Sequence, residues 1–154
     1  MPQFRYAFVG YNPAVHIRAS AREVDVSPKS AREVCQAIVG MTIPKARLFL
    51  EEVIALKRPV AFRRFKLKSG HRSELQGFPA GGYPTKAAQE VLKALQNLQN
   101  NAEFKGLNAD KVKVIHAAAH SGRRIPRMTP RAFGRSSPSM KVLTHIELVG
   151  MEVA

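Results

Sequence analysis

The amino-acid sequence predicts an α+β domain: a layer of three helices packed on a small three-stranded antiparallel sheet, with a long extended β-hairpin protruding from it. Three segments alternate apolar and polar residues, one near the start of the chain and two near its end. Three helical apolar stripes lie between the first and second of these segments. The last two alternating segments are joined by residues 121–139, which show no helical periodicity. We therefore expect them to form a hairpin that continues beyond the sheet.

The composition is that of one domain, residues 1–154, with a large excess of positive charge. The apolar fraction of 45% is sufficient for an ordinary core, and 25 Lys and Arg against 11 Asp and Glu give a formal charge of +14. Self-repulsion destabilises so basic a chain, and a polyanionic partner removes that repulsion. No apolar run approaches the roughly 20 residues of a membrane span. The single cysteine, Cys35, cannot form an internal disulfide, and we expect it to be buried.

Residues 15–22 predict a half-buried first strand. Ile17 lies on its apolar face, and Arg18 and Arg22 share the polar face, because alternate residues of a strand point the same way. The phase changes at Val24, which predicts that the strand ends or bulges there. The two arginines are therefore candidates for contact with a polyanion on the outer face of the sheet.

The three helices follow from their start and stop signals. Ser27 and Pro28 predict the N-cap and first residue of the first helix. The second helix is predicted to end before Pro59, because the residue before proline disfavours the helical region. Thr85 predicts the cap of a third helix over residues 86–103.

Residues 58–84 predict a basic loop inserted between the second and third helices. The segment is too long for a tight connection and too rich in glycine and proline for a helix. Its cationic residues are Arg58, Arg63, Arg64, Lys66, Lys68 and Arg72. Phe62 and Phe65 lie among them, where they suit base stacking or could equally anchor the loop to the core. The alternative for the whole segment is a solvated run of charge.

The arginine-rich segment, residues 121–139, joins strands predicted over residues 112–120 and 140–149. It holds Arg123, Arg124, Arg127, Arg131 and Arg135, and the chain has no Asp or Glu between Asp110 and Glu147. Like charges this dense repel one another, so we expect a polyanion to order the segment, with RNA phosphates the natural candidate. Guanidinium groups bind phosphate in a bidentate manner. Without helix or strand pairing, the backbone amides here would also be available to RNA. The alternative is a disordered, solvated loop.

No motif in the sequence predicts catalysis. His116 and His120 are four residues apart, but the glutamate of a metalloprotease motif is missing and the segment is predicted as strand. His16 and His145 have no carboxylate partner nearby in sequence. Phosphate-binding and dinucleotide-binding glycine motifs are also missing, and nothing in the sequence assembles an acid–base pair. We therefore predict no enzyme, cofactor or metal site.

Three longer segments resemble the universal large-ribosomal-subunit protein twenty-two family in its archaeal form. They are residues 24–53, 83–114 and 123–149, which include the Ser-Pro-Lys helix start, the sequence NAEFKGL and the sequence PRAFGR followed by THIELV. Together they cover most of residues 15–150. The long loop before the third helix is similar to that of archaeal and eukaryotic members, since bacterial members are shorter there.

The resemblance implies a structural protein of the large ribosomal subunit that lies near the peptide exit, binds the 23S ribosomal RNA and aids subunit assembly. It implies that the hairpin lines the nascent-peptide tunnel, with neighbouring large-subunit proteins and the nascent peptide as further partners. The tip residues it assigns to the tunnel wall are Arg127, Met128, Arg131, Ala132, Phe133, Gly134 and Arg135. Phe133 departs from bacterial members, which commonly carry lysine there.

We accordingly expect a cytoplasmic, ribosome-bound protein that neither forms a homo-oligomer nor contacts a membrane. The candidate RNA-binding residues are Arg18, Arg22, Lys29, Arg63, Arg64, Lys66, Arg72, Arg123, Arg124, Arg127, Arg131, Arg135 and Lys141. The alternative function is that of a free-standing basic RNA chaperone or ribosome assembly factor.

Overall fold

The alternating segments of the sequence form one antiparallel sheet in the computed structural model, which describes residues 5–66 and 68–153. Strand β5 (Ser136–Glu152) lies in the centre, between β1 (His16–Val24) and β4 (Val112–Pro130). Both neighbours run antiparallel to it. The predicted α+β class and three-stranded antiparallel sheet are thereby confirmed, and both hairpin strands extend further than the predicted segments.

Three helices cover the sheet and share one hydrophobic core with it. They are α1 (Pro28–Ile38), α2 (Ile43–Ile54) and α3 (Thr85–Phe104). Helices α1 and α3 contact the strands directly, whereas α2 packs chiefly on α3. The core side of the sheet presents Ile17 and Leu148, both buried, to these helices. A short 3₁₀ helix (Ala109–Lys111), which the sequence pattern did not predict, leads into β4.

The helix starts agree with the prediction for α1 and differ for α3. Pro28 is the first residue of α1 and Ser27 is its cap residue, although the serine side chain makes no capping hydrogen bond. Pro84, not Thr85, occupies the cap position of α3. The Ala88 amide donates to the Pro84 carbonyl at 2.9 Å, so helical hydrogen bonding begins one residue earlier than predicted. Thr85 is the first residue of the helix.

The basic loop, residues 58–84, folds back on itself instead of crossing the surface as open chain. Strands β2 (Val60–Ala61) and β3 (Gly81–Gly82) pair antiparallel at its two ends. Val60 is buried in the core and fixes the near end of the loop. A Cβ on Gly81 would lie 2.6 Å from the Val60 carbonyl oxygen, so this pairing requires glycine.

Beyond the sheet, β4 and β5 continue as a two-stranded ribbon, which comprises residues 122–142. Pairing runs from Arg124 opposite Val142 to Pro130 opposite Ser136, and residues 131–135 form the tip. The Arg131 amide donates to the Arg135 carbonyl at 2.8 Å and closes the tip. The expectation of a segment without strand pairing is therefore wrong. Prolines are tolerated here because each strand of a two-stranded ribbon is an edge.

The ribbon leaves the sheet at a hairpin joint made by Glu23, Gly122, Arg123 and His145. Strand register shifts on both sides of it, after Ala21 in β1 and after Ser121 in β4, which agrees with the bulge predicted near Val24. The Glu23 amide donates to His145 Nδ1 at 3.2 Å, and Glu23 Oε1 accepts from the Arg123 amide at 3.3 Å. A Cβ on Gly122 would lie 2.9 Å from His145 Nε2. Bulges strengthen local twist, so the joint sets the direction of the ribbon.

We predict that the domain folds without the ribbon. A variant in which an Asn-Gly turn replaces residues 125–141 joins the paired residues Arg124 and Val142 directly. Its melting temperature should stay within about 4 °C of the parent, because the removed residues bury little apolar surface and loop closure depends weakly on length.

Leu98→Ala is the contrasting variant, since Leu98 is fully buried beneath the sheet. It should lower the free energy of unfolding by about 2–5 kcal/mol. Thermal denaturation followed by circular dichroism measures both. A loss in the shortened chain as large as that of Leu98→Ala would show that the ribbon is part of the folding unit.

Candidate nucleic-acid interface

The ribbon carries two chemically different faces. Arg127 lies opposite Ser139, and Ile125 lies opposite Lys141. These four residues therefore share one face, which carries the cationic groups of Arg127 and Lys141. The other face pairs Pro126 with Met140 and Met128 with Pro138, with Arg124 and Val142 at its base. Met128 is 64% exposed and Met140 is 59% exposed. The arginines were predictable from the sequence, but this division was not, because it depends on the register between the two strands.

The tip is exposed on all sides. All five arginines of the ribbon, Arg123, Arg124, Arg127, Arg131 and Arg135, are exposed. Phe133 is 99% exposed, and both it (φ 58°) and Gly134 (φ 65°) adopt the left-handed backbone region. A phenylalanine in that region is uncommon. The turn therefore directs a large apolar side chain into solvent, and in sequence an arginine lies two residues away on each side of it.

A buried carboxylate, Glu33 on α1, holds the basic loop in place. Its Oε2 accepts from the Arg63 amide at 3.1 Å, and its Oε1 accepts from the amides of Arg64 and Phe65 at 3.1 and 3.3 Å. Arg32 Nη1 donates to Oε1 at 3.0 Å. Successive backbone amides form an anion-binding concavity, and here the chain supplies its own anion. No periodicity marked Glu33 in the sequence, because it lies outside the apolar stripe.

The two phenylalanines of the basic loop have different environments. Phe62 packs against the hydrophobic core and so anchors the loop. Lys29 Nζ and the Arg64 guanidinium lie 5.8 and 5.5 Å from the ring centre of Phe65. Phe65 thus groups two candidate RNA-binding residues around an aromatic ring, at distances typical of cation–π contacts.

Two further candidate residues of this loop, Arg63 and Arg72, also lie over aromatic rings. Arg63 is 5.4 Å from the centre of Phe78, and Arg72 is 5.2 Å from that of Tyr83. Lys66 is exposed. Aromatic rings therefore support the guanidinium groups of Arg63 and Arg72 in this loop.

On the outer face of the sheet, the N-terminal segment, residues 5–15, surrounds the candidate Arg18. The guanidinium of Arg18 lies 5.0 Å from the ring centre of Tyr6 and 4.7 Å from that of Tyr11. Arg5 and Arg22 line the same cavity, whose volume is about 340 Å³. The predicted position of Arg18 and Arg22 on the outer face is confirmed. The two tyrosines were missed because this segment has no strand or helix period.

A second buried carboxylate, Glu147, ties the N-terminal segment to the sheet. The Ala7 amide donates to both carboxylate oxygens, at 3.0 and 3.2 Å. His116 Nε2 lies 2.7 Å from Glu147 Oε1, and His120 Nε2 lies 3.3 Å from it. The shared carboxylate partner of His116 and His120 was not predicted, because β4 and β5 bring together residues that are distant in sequence.

The candidate Lys141 already pairs with an acidic residue. Its Nζ lies 2.8 Å from Asp25 Oδ2, and Lys86 Nζ lies 3.2 Å from the same oxygen. Hydrogen bonds from Lys141, and then from Lys86, hold the pKa of the Asp25 carboxyl below its usual value. A phosphate at Lys141 would have to share the ammonium group with Asp25.

Cys35 is buried among apolar side chains, as predicted. Burial raises the pKa of its thiol to about 12, so the thiol stays protonated at neutral pH. Within residues 5–66 and 68–153, no group of three or more His, Cys, Asp and Glu side chains is arranged to hold a metal ion. Among the helices of that part of the chain, none combines the length and the apolar character that crossing a membrane requires.

Fold and charge together define a class of protein: a small, strongly basic α+β domain that carries an arginine-rich, two-stranded ribbon. Comparison with known proteins identifies the family. Residues 19–150 match the model of the family described as ribosomal protein L22p/L17e. The chain belongs to that family, as the resemblance in its sequence indicated.

Relatives named "Large ribosomal subunit protein uL22" align with almost the whole chain. The protein of Cenarchaeum symbiosum is 53% identical over 152 residues, which cover 99% of each chain. That of Nitrosopumilus maritimus is 47% identical over 153 residues, covering 99% of this chain and all of the relative. That of Methanocaldococcus jannaschii is 47% identical over 138 residues, covering 90% of this chain and 88% of the relative. All three are archaeal, which agrees with the archaeal form expected from the long loop.

We predict that Glu33 positions the basic loop. Glu33→Ala should lower the free energy of unfolding by about 1–3 kcal/mol, because three backbone amides and Arg32 lose their acceptor. Amide hydrogen exchange at residues 63–65 should accelerate.

Glu51→Ala is the matched control, since Glu51 forms an exposed ion pair with Arg47 on α2. It should change stability by less than about 0.5 kcal/mol and leave exchange in the loop unaltered. Equal effects of the two substitutions would contradict the role given to Glu33.

Proposed function

We propose that this chain is a structural, non-enzymatic protein of the large ribosomal subunit and that it binds the ribosomal RNA through its ribbon. The observation that supports this best is the exposure of five arginines on a paired ribbon without a single acidic residue. Such a surface has little stabilising use within the protein itself. The names of the archaeal relatives indicate the same assembly.

The ribbon is suited to electrostatic binding in a confined space. Its paired part, from Arg124 to Pro130, reaches roughly 20 Å from the domain at the usual rise of a strand. Arginines that neutralise phosphates release condensed counterions, which favours binding and makes it depend on salt. Backbone pairing limits the conformations of the free ribbon, so less entropy is lost when RNA segments converge on it. This supports a part in subunit assembly.

The tip suits a different task from that of the ribbon stem. Residues 127–135 include the exposed Phe133 and the arginines on either side of it. We assign to these residues the part of the nascent-peptide tunnel wall that the family resemblance implies. A closed turn of this kind can present side chains to a passing peptide while the stem is held by RNA. The globular domain would then lie near the peptide exit, beside other large-subunit proteins.

The globular domain supplies further RNA contacts on two surfaces. Arg18 and Arg22 lie on the outer face of the sheet. Lys29 of helix α1 and Arg64 of the basic loop lie around the ring of Phe65. Together with the ribbon they give the protein several separate attachments, which is the arrangement expected of a permanent subunit component. A free-standing RNA chaperone remains the second candidate, because a basic surface alone would serve it equally well.

The test replaces three ribbon arginines, Arg127, Arg131 and Arg135, by glutamine in one variant. We expect this variant to dissociate from large subunits in a high-salt sucrose gradient in which the parent chain co-sediments. On single-stranded RNA, the slope of log affinity against log salt should become shallower by about 2, at roughly 0.7 per lost phosphate contact.

The control variant removes the same charge from helix surfaces, with Lys45, Arg47 and Lys93 changed to glutamine. These side chains are exposed and lie outside the ribbon, so the control should co-sediment with subunits. If the ribbon variant and the control variant dissociate from large subunits to the same extent, net charge alone drives association. Release of the unaltered chain at high salt would favour the free-standing chaperone.

A further inference from the structure

An open groove lies between α1, α2 and the basic loop, and residues 122–142 of the ribbon do not line it. Its volume is about 750 Å³. Three arginines line it, Arg32, Arg58 and Arg63, over apolar surface that includes Phe49 and Leu75. We call it the arginine groove. Arg32 and Arg58 were not among the RNA-binding candidates that the sequence suggested.

Each arginine of the groove is supported by neighbouring carboxylate or aromatic groups of the protein. The Arg58 guanidinium lies 5.0 Å from the ring centre of the buried Phe49, and its Nη1 donates to Glu52 Oε2 at 3.3 Å. Arg32 Nη1 donates to the buried Glu33 at 3.0 Å. A guanidinium has five N–H donors, so a single bond to a carboxylate leaves donors for a ligand. Prior support lowers the entropy lost when a ligand binds.

Glu33 also fixes the third arginine. Its Oε2 accepts from the Arg63 amide at 3.1 Å, while the Arg63 guanidinium lies 5.4 Å from the centre of Phe78. The buried Glu33 carboxylate therefore accepts hydrogen bonds from the side chain of Arg32 and from the backbone amide of Arg63. Because Glu33 is buried and already accepts four hydrogen bonds, it does not compete for a ligand at the groove surface.

We propose that the arginine groove is a second RNA-binding site, which takes the phosphodiester backbone of one strand. Guanidinium groups bind phosphate oxygens in a bidentate manner, and RNA repeats that charge at every nucleotide. The apolar side chain of Leu75 can contact ribose between phosphates. With a chain charge of +14, a ligand charged at every unit fits better than an acidic protein segment with scattered carboxylates. The inference rests on the proposed function in that RNA is the partner.

The experiment compares three full-length variants for binding to a fluorescently labelled 12-nucleotide polyuridine RNA over a series of KCl concentrations. The groove variant carries Arg58→Gln and Arg63→Gln. The charge-matched control carries Arg47→Gln and Lys93→Gln, which remove two helix cations that pair with Glu51 and Glu90 respectively. The ribbon variant carries Arg127→Gln and Arg131→Gln. Circular dichroism checks the fold of each, and Arg63→Gln alone keeps the Arg58–Glu52 pair should the double variant unfold.

The groove variant should bind about tenfold more weakly than the control, and its salt slope should be shallower by about 1.4, at roughly 0.7 per lost phosphate contact. If it equals the control while the ribbon variant weakens, the groove is not an RNA site and the proposed function stands. If neither the groove variant nor the ribbon variant differs from the control in RNA affinity, both the groove site and the proposed function are overturned. Polyglutamate of matched charge is the competing ligand, and a larger loss for it than for RNA would assign the groove to an acidic protein instead.

Discussion

The pairing of β5 with β4 is the constraint on which the rest of this structure depends. Within the sheet, the register buries Ile146 and Leu148 on the core side and brings Glu147 to His116 on the other. Beyond the sheet, the register shifts by one residue at the hairpin joint and then separates Arg127 and Lys141 from the methionine face of the ribbon. Side chains alternate along a strand, so a slip by one residue would exchange these faces throughout. Core and candidate interface thus both depend on the pairing of β4 with β5.

A few acidic side chains position the cationic segments of the chain. Glu33 holds the backbone of the basic loop, and Glu147 holds the N-terminal segment. Both carboxylates are buried and accept backbone amides, so they order cationic segments without covering the cations. The ribbon has no buried carboxylate of this kind, and its arginines stay exposed along β4 and at the tip. In the domain, buried carboxylates therefore position the cationic segments before any ligand binds. In the ribbon, the positive charge is left for a partner to neutralise.

Local patterns were sufficient to predict the three strands of the sheet, the three helices and the protruding hairpin, but not the β2–β3 pair, the 3₁₀ helix or the strand pairing within the ribbon. Alternation in residues 15–22 and apolar spacing in α1 reflect burial on one side, which sequence records directly. Contacts between distant residues were not predictable in this way. Glu33 meets Arg63 thirty residues later, and Glu147 meets Ala7 across almost the whole chain. Such contacts depend on three-dimensional packing and leave no period in the sequence, which is why the partners of His116 and the supports of Arg18 were missed.

The most direct test of the account is a density map of the large ribosomal subunit that contains this chain. The account predicts RNA phosphates within about 3 Å of the guanidinium groups on the ribbon, as charge-assisted hydrogen bonds require. It also predicts that Phe133 at the tip faces the nascent-peptide tunnel, with the domain near the exit. A map in which the ribbon extends into solvent, or in which the domain alone touches RNA, would contradict it.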